Sequence, residues 1–134
     1  MEERTGTGNE DGAAERSLRR LLELLGLAAR ARAIVTGTDA VRRAAREGEV
    51  ARVILATDAA PGQAGKLTPL LEARQVPFHF LTTRDVLGAA VGRGPVSALG
   101  LTNQNFARRA GELLATRPDA RSAETRGDPL QDRA

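Results

Sequence analysis

Between residues 16 and 117 the apolar pattern switches repeatedly between helical spacing and short continuous runs, and this alternation constrains the fold more than any other feature. Leu18, Leu21, Leu22, Leu25 and Ala28 recur at three and four residue intervals, with Ser17 placed to cap a first helix. A short strand at Ile34–Thr36 leads through Gly37 to a second helix, with Thr38 or Asp39 as its cap and Gly48 as its stop. Val53–Ala56 has the continuous apolar character of a buried strand, and TDAAPG after it has turn chemistry. Thr68-Pro69 marks the start of a short third helix that ends before Val76-Pro77, with a looser turn ahead of it. Phe78–Leu81 reads as a strand, and Thr82 and Asp85 are spaced like a capping box for a fourth helix reaching about Val91. After the GRGP turn come a last strand, Val96–Leu101, and a helix capped by Asn103 that carries Phe106, Ala110, Leu113 and Leu114. The pattern predicts an α/β protein, a three-layer α-β-α sandwich with a small mixed four-stranded sheet.

Flanking this region, residues 1–15 and 118–134 are polar and poor in large apolar side chains, and are expected to be disordered tails around one domain at 16–117. The tails distort the charge balance. The whole chain is +3, yet residues 1–15 hold five acids and one arginine, and residues 118–134 hold four acids and three arginines. Residues 16–117 therefore keep fifteen arginines and Lys66 against eight acids, a net +8. A unit this basic favours polyanions, since phosphate contacts release condensed counterions. Nucleic acid is the leading partner class, and an acidic protein the alternative. No apolar run is long enough to span a bilayer and no signal-peptide pattern opens the chain, so a cytoplasmic monomer without a membrane partner is expected.

The residues that could carry chemistry are few. Cysteine is absent, which removes disulfides, thiolate metal sites and cysteine nucleophiles. His79 is the one histidine; it alternates with Phe78 and Phe80 on a strand, so it faces away from them and reads as a strand residue rather than a ligand or base. Asp39, Asp58 and Asp85 occupy turn or cap positions, where a carboxylate accepts backbone N–H bonds. GRGP and APGQAG match neither the Walker nor the dinucleotide pattern. No catalytic residue, metal or cofactor is expected. With only three aromatics, Phe78, Phe80 and Phe106, base-stacking platforms are not expected either.

Four blocks, LLGLAARARAIVTGTDAVRRAAREG, ARVILATDAAP, VPFHFLTTRDVLGAAVG and SALGLTNQNFA, stand in the order and at the spacing of YlxQ-type proteins. The chain from about Leu24 to Leu114 thus resembles the superfamily of ribosomal proteins L-seven-Ae, L-thirty-e and S-twelve-e. This resemblance implies an α-β-α sandwich that binds kink-turn RNA at the ribosome, gripping it with three segments. The first is matched by Gly37, Thr38, Asp39, Ala40 and Arg43, where a glycine admits the RNA backbone, a helix N-terminus faces it and an arginine reaches phosphate or a guanine edge. The second is matched by Thr57, Asp58, Ala59 and Pro61, and the third by Arg93, Gly94, Pro95 and Val96, which would cover the flipped-out nucleotide. Asp39-Ala40 departs from the Asn-Glu pair of archaeal and eukaryotic members: an ionised Asp only accepts and repels phosphate, and Ala makes no polar contact. The departure implies weaker kink-turn binding or a different structured RNA. Two other readings follow from the same fold: a protein-interaction module that meets an acidic partner, and the recognition half of an RNA-modifying enzyme whose catalytic part is another chain.

Overall fold

The computed structural model describes the backbone of residues 2–115 and 121–122, and side chains from residue 12 to 115. The elements are α1 (Glu2–Arg30), β1 (Ile34–Thr36), α2 (Thr38–Arg46), β2 (Arg52–Leu55), α3 (Pro61–Ala73), β3 (Phe78–Phe80), α4 (Arg84–Ala90), β4 (Ala98–Leu101), α5 (Gln104–Ala115) and β5 (Arg121–Ser122). The sheet order is β1-β4-β2-β3-β5, with β2 and β3 parallel and the other pairings antiparallel. This is the expected mixed four-stranded sheet, widened at one edge by the two-residue β5. The remainder of the expected C-terminal tail lies outside the described residues.

Strand alternation divides the core between the two faces of the sheet. Val53 and Leu55 of β2 point to one side with Phe78 and Ala98, where Val41, Ala44 and Ala45 of α2 and Leu67 and Leu71 of α3 cover them. Ile54 and Ala56 point to the other side with Leu99 and Leu101, beneath Leu21, Leu25 and Ala28 of α1, Leu87 of α4 and Ala107, Ala110 and Leu114 of α5. Phe78 and Phe80 pack on the α2–α3 side, with ring centroids 6.3 Å apart and nearly perpendicular, as core residues and not as an exposed platform.

Several helix starts differ from the sequence expectation for identifiable reasons. Ser17 lies inside α1 instead of capping it, because Ala13-Ala14-Glu15-Arg16 are strong helix formers and the helix continues through them. Among the described side chains, packing on the core nevertheless begins only at Leu18. The cap of α2 is Gly37, not Thr38 or Asp39, and no side chain closes that helix end. α3 starts seven residues before Thr68, at Pro61, which suits a first helical position; Pro69 is tolerated inside because it is exposed and water can take the Gly65 carbonyl it leaves without an N–H partner. The cap of α4 is Thr83, whose hydroxyl accepts from Val86 N at 3.3 Å, one residue beyond the expected Thr82. Asn103 does cap α5, its Oδ1 accepting from Asn105 N at 2.8 Å and Phe106 N at 3.1 Å.

Helices α1 to α4 all end in paired reversed hydrogen bonds that require one left-handed residue. The pairs are Arg32 N to Ala29 O with Ala33 N to Ala28 O, Gly48 N to Ala45 O with Glu49 N to Ala44 O, Gln75 N to Glu72 O with Val76 N to Leu71 O, and Gly92 N to Ala89 O with Arg93 N to Gly88 O. Glycine takes that position twice, at Gly48 and Gly92, whereas Arg32 (φ 60°) and Gln75 (φ 58°) take it with a side chain.

Beneath α5 the chain buries one polar latch. Arg52 Nε donates to Ala107 O at 2.8 Å and its Nη1 donates to His79 Nε2 at 2.7 Å. Arginine can only donate, so Nε2 is the acceptor and His79 carries its proton on Nδ1. His79 is fully buried, and burial, then the Arg52 charge, lower its pKa from 6.5 to about 4.

In urea denaturation, Arg32→Gly and Gln75→Gly are each expected to raise stability by about 0.5–1 kcal/mol, and Gly48→Ala to lower it by about 1–2 kcal/mol. The unfolded chain protonates His79 below pH 6.5 while the folded chain resists until about 4, so the stabilising effect of neutral His79 is complete above 6.5 and is lost as pH falls through that window. That loss is on the order of 3 kcal/mol. His79→Gln, which keeps an acceptor for Arg52 but cannot titrate there, is expected to flatten the stability profile between those two pH values relative to wild type.

Candidate nucleic-acid interface

Strand directions bring the three candidate segments to one end of the sheet. β2 and β3 run parallel and β1 runs with them, since both β1 and β2 are antiparallel to β4. The exits of β1, β2 and β3 and the entry to β4 therefore meet, and they carry Gly37–Ala40, Thr57–Pro61 and Arg93–Val96. Main-chain bonds join them: Gly37 N to Ala98 O at 2.9 Å, Ala56 N to Ser97 O at 2.9 Å and Thr57 N to Thr82 O at 2.7 Å.

Two residues not singled out by the sequence hold this end together. Arg84 gives its backbone N–H to Asp58 Oδ1 at 2.8 Å and receives Val96 N on its carbonyl at 3.0 Å, linking the second and third segments through the main chain of one residue. Its guanidinium also lies 3.6 Å from Asp58 Oδ2, a half-exposed pair of little energetic weight beside the backbone bonds. Asp58 is thus a positioning residue as built. Gly88 is the second: it is buried in α4, and a Cβ there would lie 1.7 Å from Gly94 O and 2.6 Å from Gly94 C. The GRGP loop rests directly on the helix backbone. A glycine inside a helical apolar pattern was the available signal for Gly88; nothing in the spacing marks Arg84.

The surface so formed displays its residues unequally. Asp39, Arg43, Thr57, Asp58, Pro61, Arg93, Gly94 and Pro95 are exposed, Gly37, Ala40 and Ala59 are half-buried, and Thr38 and Val96 are buried. Thr38 and Val96 therefore offer main chain only. Gly37 adopts φ 100°, ψ 145°, a conformation glycine reaches readily, and a Cβ there would meet nothing within 4 Å. The α2 N-terminus thereby opens to solvent with no side chain over it, and its partial positive charge faces outward. Charges at this end balance: Arg43, Arg84 and Arg93 stand against Asp39, Asp58 and Asp85. His79 lies away from it under α5. Among the described residues no group of metal-ligating side chains occurs, and no helix is long and apolar enough to cross a membrane.

Gly88→Ala separates packing from propensity. Alanine in a helix interior ordinarily gains ~1 kcal/mol over glycine, whereas forcing a methyl into Gly94 O costs ~1–3 kcal/mol or more through displaced backbone. The clash is the larger effect, so the variant is expected to be less stable than wild type, with amide shifts at Arg93–Val96 in its NMR spectrum.

Known proteins share this architecture and sequence. The residue pattern of the ribosomal protein L7Ae/L30e/S12e/Gadd45 family matches residues 19–110. The RNA-binding protein YlxQ of Bacillus subtilis strain 168 is 36% identical over 91 residues, which span 68% of this chain and 91% of that protein. A solved structure of a protein of unknown function from Bacillus halodurans C superposes with a TM-score of 0.68 at 36% identity, covering 69% of this chain and 94% of that one. The Giardia lamblia 15.5kD RNA binding protein has the same fold, with a TM-score of 0.66 at 24% identity over 75% of this chain and 89% of its own. With the family pattern spanning most of the folded part and a relative matched over nearly its whole length, the chain belongs to the ribosomal protein L7Ae/L30e/S12e/Gadd45 family.

Proposed function

We propose that this chain is a non-catalytic RNA-binding protein, and that residues 16–117 grip a structured RNA, a kink-turn or related ribosomal RNA element, with the loop end of the sheet. The observation that carries the reading is the convergence of three segments at one end, fastened to one another by main-chain bonds and by the Asp58 carboxylate. A preformed end of this kind binds by shape without ordering its loops at the moment of contact. The name of the Bacillus subtilis relative, an RNA-binding protein matched over 91% of its length, supports the same class of partner.

In this reading each segment has a physical task. The Gly37 turn lets the RNA backbone approach the open α2 N-terminus, whose N–H groups suit phosphate. Arg43, exposed one turn into α2, reaches phosphate or a guanine edge. Thr57–Pro61 lines the middle, fixed through Asp58, and Arg93–Val96 covers an unstacked nucleotide while seated on Gly88. The protein would act on the ribosome or on ribosomal RNA in the cytoplasm.

Binding is expected to be salt-sensitive and tighter for an isolated kink-turn duplex than for a straight duplex of equal length. Arg43→Ala and Arg93→Ala are each expected to weaken it by ~1–3 kcal/mol if they touch base edges. Asp39→Asn, which removes a carboxylate facing phosphate and restores a donor, is expected to strengthen it. Equal affinity for bent and straight RNA in a calorimetric titration would sink the kink-turn assignment.

A further inference from the structure

The net positive charge of the domain is not at its loop end. α1 carries Arg16, Arg19, Arg20 and Arg30 along one exposed stripe at three, four and ten residue intervals, and Arg32 follows in the turn below it. α5 adds the exposed Arg108 and Arg109. Against these seven arginines residues 15–32 and 104–115 hold Glu15, Glu23 and Glu112, the last lying 4.0 Å from Arg108, while Glu2, Glu3, Glu10 and Asp11 fall earlier in the sequence of α1. By contrast, α2 and α3 with their closing turns set five basic residues against four acids, and the loop end is balanced. Phosphate attraction scales with the number of neutralising contacts, so the loops cannot supply most of it.

These arginines form one surface. α1 and α5 pack side by side on the same face of the sheet, through Leu21, Leu25, Ala107 and Leu114 among others, so their outer sides are continuous. α1 feeds the start of β1, and α5 follows the end of β4; both junctions lie at the sheet end opposite the loops. Rising ~1.5 Å per residue from Arg30, the α1 stripe brings Arg19 and Arg20 back by about 15 Å, to the level of the loop end. Among the described residues of α1 and α5 the only large apolar side chain that is exposed is Leu27, so the face lacks an apolar patch of the kind that centres a protein–protein interface.

We propose that the outer face of α1 and α5 is a second RNA-contacting surface, which holds the phosphate backbone of a helical stem adjoining the element gripped by the loops. It rests on the RNA-binding reading above. The loops then select the RNA by shape, and this face provides charge-dependent affinity without reading sequence.

The test measures the salt dependence of binding to a kink-turn RNA with one long stem, using the full chain and the triple variant Arg19→Gln/Arg20→Gln/Arg109→Gln. The expected result is affinity weaker by roughly tenfold at moderate salt, with the slope of log K against log salt reduced by about 2–3. On the same RNA trimmed to its minimal stem, the difference between the two proteins should shrink. Lys66→Gln, on the opposite helix layer, should leave both quantities unchanged. Arg32→Gly provides a check against misfolding, since it relaxes the backbone and is expected to bind more weakly while melting higher. If the wild type binds and the triple variant shows the same slope and affinity, the second surface is overturned and the loop-end reading stands. If the variant binds RNA normally but loses retention on polyglutamate, the face belongs to an acidic protein and the proposal is likewise overturned. If the wild type binds neither RNA, both readings fail.

Discussion

β4 is the strand on which the rest of the structure depends. It is hydrogen-bonded on both edges and runs against β1 on one side and β2 on the other. Because it is antiparallel to both, its entry lies beside their exits, and the loop before it sits between the loops after them. Its start anchors both neighbours: Ala98 O takes Gly37 N, and Ser97 O, just before the strand, takes Ala56 N. Reversing this one strand would send Arg93–Val96 to the far end of the sheet and dismantle the proposed interface while leaving each helix intact.

The two helix layers are tied to that sheet by different physics. α2 and α3 sit on it through apolar contact, whereas α5 is also held by Arg52, whose guanidinium spans from Ala107 O to His79 Nε2. Removing one partner of such a latch leaves a buried polar group unsatisfied, at a cost of ~1–3 kcal/mol. Arg52 of β2 turns inward to these acceptors, whereas Arg16, Arg19, Arg20, Arg30, Arg108 and Arg109 on the helices above it are exposed. Charge and shape are thus assigned to different parts of the domain, the loop end being shaped and neutral and the α1–α5 face being plain and basic.

Local signals were legible in the sequence wherever a single residue type decides the outcome. Gly48 ends α2 and Asn103 starts α5 as their chemistry requires. The α/β class followed from periodicity alone. Signals failed where exposure decides: Pro69 looks like a helix start, yet on the solvent side of α3 it is an interior residue, and Ser17 looks like a cap, yet helix-forming residues precede it. Strand order is not encoded in spacing, so the meeting of Gly37, Thr57 and Val96 could be expected from the family resemblance but not from the residues themselves. Arg84 and Gly88 escaped for the same reason, because their partners, Asp58, Val96 and Gly94, lie in other segments.

The proposed RNA-gripping surface is the loop end of the sheet. An amide NMR titration of the full chain with an isolated kink-turn duplex tests it most directly. The largest perturbations are expected on Gly37–Ala40, Thr57–Ala59, Arg93 and Gly94. Perturbations centred on α3, around Lys66–Ala73, with those amides unmoved, would contradict it.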